Sequence, residues 1–348
     1  MKNNKGIKRL FWLLSVLLGI AIFLLCLFHY RALLNYHEES HLFRWTSYYL
    51  NDHFTSVQGI WEFMVSFVVQ FFYVGFLGSL IVAFIVVCIQ RFTWWLLSHI
   101  QVWKGAFFLI SFVPALLFYF FVFIPSDYRH DDTFREFVQY DYLERTHQWE
   151  KILKLTHSKA PLTNCGLWCT NYALAMRGQL DRMEFYPQAG VEGLLNDAMQ
   201  TPSLALCSMS DIYFQLGSVN EAERIAFNAL QYMADGRKCG RLYRRLAEAN
   251  LVNGDYTIAA KYLHYLESTI YYRGFAKRWL AALGDEKAVD DVYGRFRQLR
   301  VKDSKWLVSN AKELLLRQLV DENPNNELAL NYLVAYRLLQ MKNMQNVE

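Results

Sequence analysis

The segment 37–41 reads His-Glu-Glu-Ser-His and matches the H-E-x-x-H pattern of zinc hydrolases. On a helix, two histidines four residues apart share one face and can bind one zinc ion. Glu38 would then act as general base on the zinc-bound water. The pattern therefore predicts one candidate metal site, with His37 and His41 as ligands.

This motif is incomplete as a catalytic zinc site. A third protein ligand is needed, and no second motif supplies one. The remaining candidate ligands are Asp52, His53, Glu62 and His99. Glu39 also places a charge where zinc hydrolases prefer an uncharged residue. We therefore favour a non-catalytic interpretation, in which His37 and Glu38 pair with nearby arginines at a membrane surface. These arginines are Arg31 and Arg44.

The six cysteines form no recognised metal or redox motif. Two lie in apolar segments, two stand four residues apart on one predicted helix, and two lie on different predicted helices. In that order they are Cys26, Cys88, Cys165, Cys169, Cys207 and Cys239. Structural thiols are the default interpretation, although Cys207 and Cys239 can pair in an oxidising compartment. No Walker loop, Rossmann fingerprint, G-x-S-x-G elbow or EF-hand loop is found. We therefore expect no cofactor and no catalytic residue.

The charged residues divide the chain into two parts. Residues 1–124 contain 8 Lys and Arg against 4 Asp and Glu, whereas residues 125–348 contain 28 of each kind. The formal net charge of +4 therefore belongs entirely to the first part. Because a nucleic-acid-binding domain is expected to be basic, the neutral second part gives no indication of nucleic-acid binding. A hydrophobic content of 54% excludes a disordered chain.

Three long apolar segments predict transmembrane helices over about 10–28, 63–89 and 105–124. The first is too long for a cleaved signal peptide, whose apolar core has about 7–15 residues. Gly75 and Ser79 in the second segment allow close helix packing, and Pro114 predicts a kink in the third. These segments define a predicted membrane domain, residues 1–124, with membrane lipids as partners, and leave residues 125–348 as a soluble domain.

The distribution of Lys and Arg predicts the orientation of the chain. Four basic residues precede the first apolar segment, which favours a cytoplasmic N-terminus. Three crossings then place residues 125–348 outside the cytoplasm, in a multi-pass protein of the inner membrane. A further pass within residues 91–104 would invert this sidedness.

Residues 125–348 show helical periodicity and a repeated turn. Gly178, Gly217 and Gly254 lie 39 and 37 residues apart, and each separates two amphipathic segments. Glycine suits this place because it adopts the left-handed conformation that ends a helix. Ala222 and Ala259 let the helix after the turn pack closely. We therefore predict an all-α domain built from helix pairs.

This turn pattern resembles the tetratricopeptide repeat family over about residues 162–270. The spacing exceeds the 34 residues of that family, and its Trp–Leu–Gly opening is absent. The resemblance implies an α-solenoid whose first helices line a groove for a protein partner. Alignment on the turn glycines places eight candidate partner-binding residues in the groove: Trp168, Tyr172, Asp211, Phe214, Gln215, Arg241, Arg244 and Glu248.

Two alternatives apply to these groove residues. Trp168 and Phe214 are as compatible with an ordinary hydrophobic core as with a groove. The basic run 237–245 is typical of a solvated helix face, and a site for an anionic peptide is the rarer interpretation.

The last predicted helix, residues 328–341, has a broad apolar face and lacks the polar cap that ends a solenoid. This pattern indicates either a chain truncated at its C-terminus or a helix that docks on a partner.

The whole chain resembles an uncharacterised family of bacterial multi-pass membrane proteins, of the Bacteroidota type, with a tetratricopeptide-like C-terminal part. The resemblance is carried by Gly178 and by the segments 36–39, 42–43, 70–73, 169–175 and 183–188. It implies the same two-part organisation and carries no known activity.

Together these features predict a membrane-anchored helical-repeat scaffold of the cell envelope that binds a protein partner without catalysis. The first alternative is a membrane-associated zinc hydrolase that uses His37, Glu38 and His41. The second is an accessory subunit for envelope glycan assembly or transport, suggested by location and aromatic content.

Overall fold

A computed structural model describes residues 3–99, 106–196, 202–301 and 311–345. Within these ranges the chain is helical, apart from turns, loops and an isolated β-bridge between Ala189 and Val191. The predicted all-α fold class is therefore confirmed for the described residues. The α-helices are α1 (Asn3–Leu24), α2 (Arg31–Ser40), α3 (Ser47–His53), α4 (Val57–Gln70), α5 (Gly75–Ser98), α6 (Phe112–Phe118), α7 (Ser126–His130), α8 (Asp132–Arg145), α9 (Trp149–Ser158), α10 (Asn164–Met176), α11 (Leu206–Leu216), α12 (Val219–Gln231), α13 (Gly240–Asn253), α14 (Tyr256–Glu267), α15 (Arg273–Ala281), α16 (Glu286–Leu299), α17 (Lys312–Glu322) and α18 (Glu327–Gln345).

Short helical segments of other types connect or extend these helices. The π-helical segments are Leu25–His29 and Tyr119–Phe123. The 3-10 segments are Phe71–Tyr73, Ala106–Ser111, Leu180–Phe185, Ser203–Ala205 and Ala234–Gly236.

The chain forms two compact units. The first comprises residues 1–38 and 64–135, and the second comprises residues 39–63 and 136–348. The division differs from the predicted boundary near residue 125, because residues 39–63 belong to the second unit and the later change of unit follows Arg135.

In the first unit, α5 packs against α1 and α6. Among the described residues, two helical segments are by length and composition apolar enough to cross a membrane, Lys8–His29 and Gly75–Ser98. A third apolar segment, Phe108–Phe123, is shorter. Residues 100–105, where the predicted third span begins and where part of the possible extra pass lies, are outside the described residues.

The first unit has an apolar core that includes Ile22, Val82 and Phe123, and beside it a buried polar chain. Ser15, Gln90 and Ser111 are buried. The Ser15 hydroxyl donates to Gln90 Oε1 at 2.8 Å, and Gln90 Nε2 donates to Ser111 Oγ at 2.7 Å. Large apolar side chains of the same helices are exposed, among them Leu17 of α1 and Phe84 of α5.

The prediction of one helix over 63–89 is wrong, because the chain breaks between α4 and α5. The guanidinium of Arg31 donates to the carbonyl oxygens of Phe72 and Tyr73 at 3.1 and 3.3 Å. These bonds satisfy carbonyls that a continuous helix would have paired internally. Gly75 leaves room for this contact, since a Cβ there would overlap the Arg31 guanidinium.

Pro114 lies in the first turn of α6, directly after the change from 3-10 to α-helical geometry. Proline is tolerated in a first turn because the N–H it lacks has no partner within the helix there.

In the second unit, neighbouring helices from α11 to α15 pack against each other in chain order. Gly178, Gly217 and Gly254 follow α10, α11 and α13 with φ of 66°, 89° and 81°. After Gly217, the Ser218 N–H donates to the Tyr213 carbonyl at 2.9 Å, which closes the helix end as a Schellman motif. The predicted role of the three glycines at helix ends is therefore confirmed.

Two later helices return to the helices that open these pairs. α16 packs against α13 and α11, and α18 packs against α10. Phe296 of α16 lies with its ring centroid 4.5 Å from that of Phe214 in α11. Tyr332 of α18 is completely buried. The helix faces that the sequence assigns to a groove are thus covered by the same chain.

Candidate functional site

The second unit contains a buried ionic cluster centred on Arg241 of α13, called here the Arg241 cluster. Its charged side chains come from the end of α2 and from α8, α11 and α13. They are Glu39, Asp141, Glu144, Arg145, Asp211, Arg241, Arg244, Arg245 and Glu248.

Arg241 contacts four carboxylates. Its Nη1 lies 2.9 Å from Asp141 and 3.4 Å from Glu39. Its Nη2 lies 2.6 Å from Glu144 and 2.5 Å from Asp211. Only 11% of the Arg241 side chain is exposed, so a planar fork of N–H donors neutralises acidic groups inside the protein.

Arg145 and Arg245 bring further positive charge to the cluster. Arg145 pairs with Glu39 at 2.7 Å. Arg245 pairs with Asp211 at 2.5 Å and with Glu248 at 2.9 Å. Two of the acidic side chains, Glu39 and Asp211, are therefore each shared between two arginines.

The two acidic residues of α8 continue the apolar face of that helix. Phe134, Phe137 and Val138 are buried on α8, and Asp141 and Glu144 follow at helical spacing. Because i, i+3, i+4 and i+7 positions share one side of a helix, this side carries both carboxylates into the interior. The sequence feature that indicates Asp141 and Glu144 as buried acids is their helical spacing from the apolar residues of α8.

Burial and neighbouring charges shift the carboxyl pKa values in opposite directions. Burial alone would raise the pKa of Asp211, but Arg241 and Arg245 outweigh it and lower that pKa to about 2. For Glu144, burial outweighs Arg241 and raises the pKa to about 7, with Asp211 adding to the rise. The two acids therefore respond to pH in opposite ways.

Asp141 and Glu39 form a second kind of contact within the cluster. Burial, followed by the charge of Glu39, raises the pKa of Asp141 well above its ordinary value, although Arg241 opposes the shift. Asp141 and Glu39 both lie within reach of the same guanidinium nitrogen of Arg241, at 2.9 and 3.4 Å, so the two acidic side chains share this positive charge.

The structure corrects the prediction that the eight groove residues line an open surface. Trp168, Tyr172 and Phe214 are at most 2% exposed. Gln215 is partly buried. The side chain of Arg244 is 47% exposed, at the edge of the cluster. The physical reason is the return of α16 and α18 over the first helices of the pairs.

Four of the predicted groove residues nevertheless meet in the Arg241 cluster. Asp211 lies 2.5 Å from Arg241, and Arg244 lies 2.9 Å from Glu248. Sequence reasoning missed the acidic residues from earlier in the chain. They are Glu39, Asp141 and Glu144.

The candidate zinc residues do not share a helix face. α2 ends at Ser40, so His41 lies beyond its last residue. His37 Nε2 lies 2.8 Å from the Phe123 carbonyl oxygen. Within the residues that the structure describes, no group of three His, Cys, Asp or Glu side chains is placed to bind a metal ion. Arg44, a proposed partner of Glu38, stacks 3.7 Å from the Tyr265 ring centroid.

All six cysteines are free thiols, and all except Cys88 are buried. Cys207 and Cys239 hydrogen-bond to each other, and this contact, with burial, raises the pKa of Cys207 well above its ordinary value. The two residues thus lie close together as thiols.

A reciprocal amide pair secures the loop after α10. Asn171 Nδ2 donates to Gln188 Oε1, and Gln188 Nε2 donates to Asn171 Oδ1, both at 3.0 Å. Asn171 also donates to the Gly193 carbonyl at 3.0 Å. Asn171 and Gln188 fall in two of the segments that carry the family resemblance, and their contacts give these segments a structural role.

The fold and the site define an all-helical protein with an apolar helical unit and a second unit of packed helices around an ionic cluster. The chain belongs to DUF6057, a family of unknown function, whose model matches residues 5–130 and 122–348. Membership of an uncharacterised family is therefore confirmed. Comparison with curated proteins and with solved structures gives no significant match.

Proposed function

We propose that this protein is a membrane-anchored helical scaffold that binds a protein partner in a bacterial cell envelope and has no catalytic activity. The buried polar chain of the first unit, together with the exposed large apolar side chains of the same helices, carries the proposal. A bilayer accepts exposed Leu, Phe and Trp side chains, and it favours polar groups that bond to each other inside a helix bundle. The buried chain from Ser15 through Gln90 to Ser111 is of this kind.

In this proposal α1, α5 and residues 106–123 cross the inner membrane. The N-terminus is cytoplasmic, because four basic residues precede the first crossing. The helices of residues 136–348 then lie outside the cytoplasm. Three crossings also account for the exposed apolar side chains on all three segments, such as Leu17, Phe84 and Phe121.

The scaffold role draws its support from the helix pairs of the second unit. Their turns at Gly178, Gly217 and Gly254 have the conformation expected of a tetratricopeptide-like solenoid. Since the Arg241 cluster is largely buried, partner binding in this proposal uses an outer surface. α18 carries such a surface, with exposed apolar residues at helical spacing: Leu330, Val334, Leu338 and Met341.

The test of membrane anchoring is extraction of cell membranes with alkaline carbonate. The full chain is expected to stay in the membrane pellet and to need detergent for release. Release by carbonate alone would contradict the proposal.

The test of partner binding is photo-crosslinking in cells. A photoreactive amino acid at Val334 is expected to capture one defined protein, which is then identified by mass spectrometry and confirmed by reciprocal capture. The matched control is Tyr332, two residues away and completely buried, which is expected to capture nothing. The same experiment at the exposed Phe227 of α12 samples a second surface. Absence of a reciprocal partner from both surfaces would overturn the scaffold role.

The zinc-hydrolase alternative is tested by the metal content of the purified chain. We expect the purified chain to contain no stoichiometric zinc, and we expect the His37→Ala variant to have the same metal content. Stoichiometric zinc that is lost in this variant would contradict the proposal and favour the hydrolase.

A further inference from the structure

We propose that α3 and α4 form an interfacial element that lies on the bilayer, with the outer face of α4 in contact with lipid. This inference rests on the proposed membrane anchoring of the first unit. It adds a lipid-binding surface in a segment that the sequence analysis treats as a loop followed by the start of a span.

The segment 45–61 of the second unit exposes an unusual set of side chains. Seven of its seventeen residues are large, apolar and exposed, and two of them are tryptophans. They are Trp45, Tyr48, Leu50, Phe54, Val57, Ile60 and Trp61. Contiguous exposed apolar residues mark interaction surfaces, and Trp and Tyr are the side chains enriched where a membrane meets water.

α4 exposes an apolar stripe. Its exposed apolar residues recur at intervals of three and four along one stripe: Val57, Ile60, Trp61, Met64 and Phe67. The buried residues of the helix are Ser66, Val69 and Gln70. A helix on the surface of a soluble protein turns its apolar stripe towards the core, so the exposed stripe of α4 is suited to an apolar solvent.

The break that follows α4 favours a position at the membrane surface rather than across it. With the adjoining 3-10 turn, the apolar segment Val57–Tyr73 extends about 26 Å at 1.5 Å per residue, whereas the hydrocarbon core is about 30 Å thick. The chain then breaks at the 3-10 turn that Arg31 stabilises before α5 begins. α4 therefore reaches the membrane without completing a crossing.

The bilayer is the occupant that the surroundings of the stripe favour. Only Glu62 is charged between residues 54 and 70, and Gln58 donates to it at 2.9 Å. The stripe thus offers little for ion pairing with a protein partner. After the 3-10 turn, the chain continues into α5, which also exposes large apolar side chains, such as Phe76 and Phe84.

Spin labels on single cysteines test this inference in the full chain. The background carries Cys88→Ser, because the other five cysteines are buried. The labelled sites are Val57 and Trp61 on the stripe. Leu17 of α1 reports the proposed anchor, and Phe227 is the matched control, an exposed aromatic residue of α12. The protein is reconstituted in vesicles of phosphatidylethanolamine and phosphatidylglycerol. Collision with oxygen reports lipid, and collision with a water-soluble nickel chelate reports water.

The expected result is that labels at Val57 and Trp61 collide mainly with oxygen, as at Leu17, while Phe227 collides mainly with nickel. If Leu17 reports lipid but the stripe reports water, the interfacial element is wrong and the anchor stands. If the stripe labels are shielded from both reagents, protein covers the stripe and the lipid surface is also wrong. If Leu17 itself reports water, the proposed function fails. Val57 is 86% exposed, so labelling there leaves the interior packing intact.

Discussion

At Arg241, one guanidinium contacts four carboxylates from three other elements. Breaking a buried charge pair by removing one partner costs about 3–5 kcal/mol, because the remaining charges lose their compensation. We therefore expect Arg241→Met to lower the free energy of unfolding by about that amount, measured by denaturant titration of the detergent-solubilised chain.

Arg244→Met is the matched control for this variant. Arg244 lies three residues further along α13, has the same charge and is 47% exposed. Exposed ion pairs contribute about 0–1 kcal/mol, so little change is expected. Equal losses in the two variants would show that Arg241 does not balance the buried acids.

The two shifted acids predict how stability depends on pH. Glu144 has a pKa of about 7 in the folded protein, above its unfolded value of about 4.3. The folded state therefore binds more protons in this interval, and its stability falls as pH rises from about 4 to about 8. Asp211, with a pKa of about 2, acts in the opposite sense, and its contribution is lost as pH falls from about 4 towards 2.

Glu144→Gln tests the first of these effects. The variant cannot ionise, so the difference between unfolding midpoints at pH 5 and pH 8 should become smaller than in the natural chain. Asp211→Asn is the contrasting variant, since its main effect on the pH profile lies below pH 4. An unchanged difference in Glu144→Gln would mean that Glu144 does not titrate in this interval.

Among helices and turns, the turn glycines were predictable and the helix break was not. Gly217 and Gly254 end helices because local backbone conformation depends on local sequence. The break before Gly75 follows from Arg31, a residue more than forty positions earlier in the chain. Hydropathy averaged over a window is insensitive to such a contact, so it predicts a single transmembrane helix over residues 63–89.

The turn glycines offer a graded test of packing. Both have positive φ, but a Cβ at Gly217 would lie 2.7 Å from the Leu299 carbonyl oxygen, whereas a Cβ at Gly254 meets nothing within 4 Å. Gly254→Ala should cost about 1–2 kcal/mol for the left-handed conformation. Gly217→Ala should cost about 1–3 kcal/mol more, because backbone must move.

Unfolding midpoints of the two glycine variants in urea measure this difference. Equal destabilisation would indicate that the backbone at the end of α16 moves at no measurable cost in free energy. The end of α16 would then not pack tightly against the turn at Gly217.

For the whole molecule, the sequence predicted the all-α class but not which faces are covered. The pattern around Phe214 identifies an amphipathic helix, yet only the return of α16 decides whether its outer side faces water or Phe296. The same limit applies to the Arg241 cluster, which needs Glu39 from two hundred residues earlier. Periodicity places Asp141 and Glu144 on the buried side of α8, but it does not identify a partner so far along the chain.

The number of membrane crossings fixes the side on which each part of the chain lies. Residues 106–123 extend about 27–36 Å at 1.5–2.0 Å per residue, close to the thickness of the hydrocarbon core of about 30 Å. We therefore expect this segment to cross, as α1 and α5 do, whereas α4 does not.

Fusions to alkaline phosphatase test the number of crossings, because this enzyme is active only outside the cytoplasm. Placed after His53, His99 or His130, it reports the side of the membrane on which each site lies. The expected order is active, inactive, active. Inactivity after His130 with the first two results unchanged would mean that residues 106–123 stop short, and the scaffold would then face the cytoplasm. Activity after His99 would instead show that α5 fails to cross.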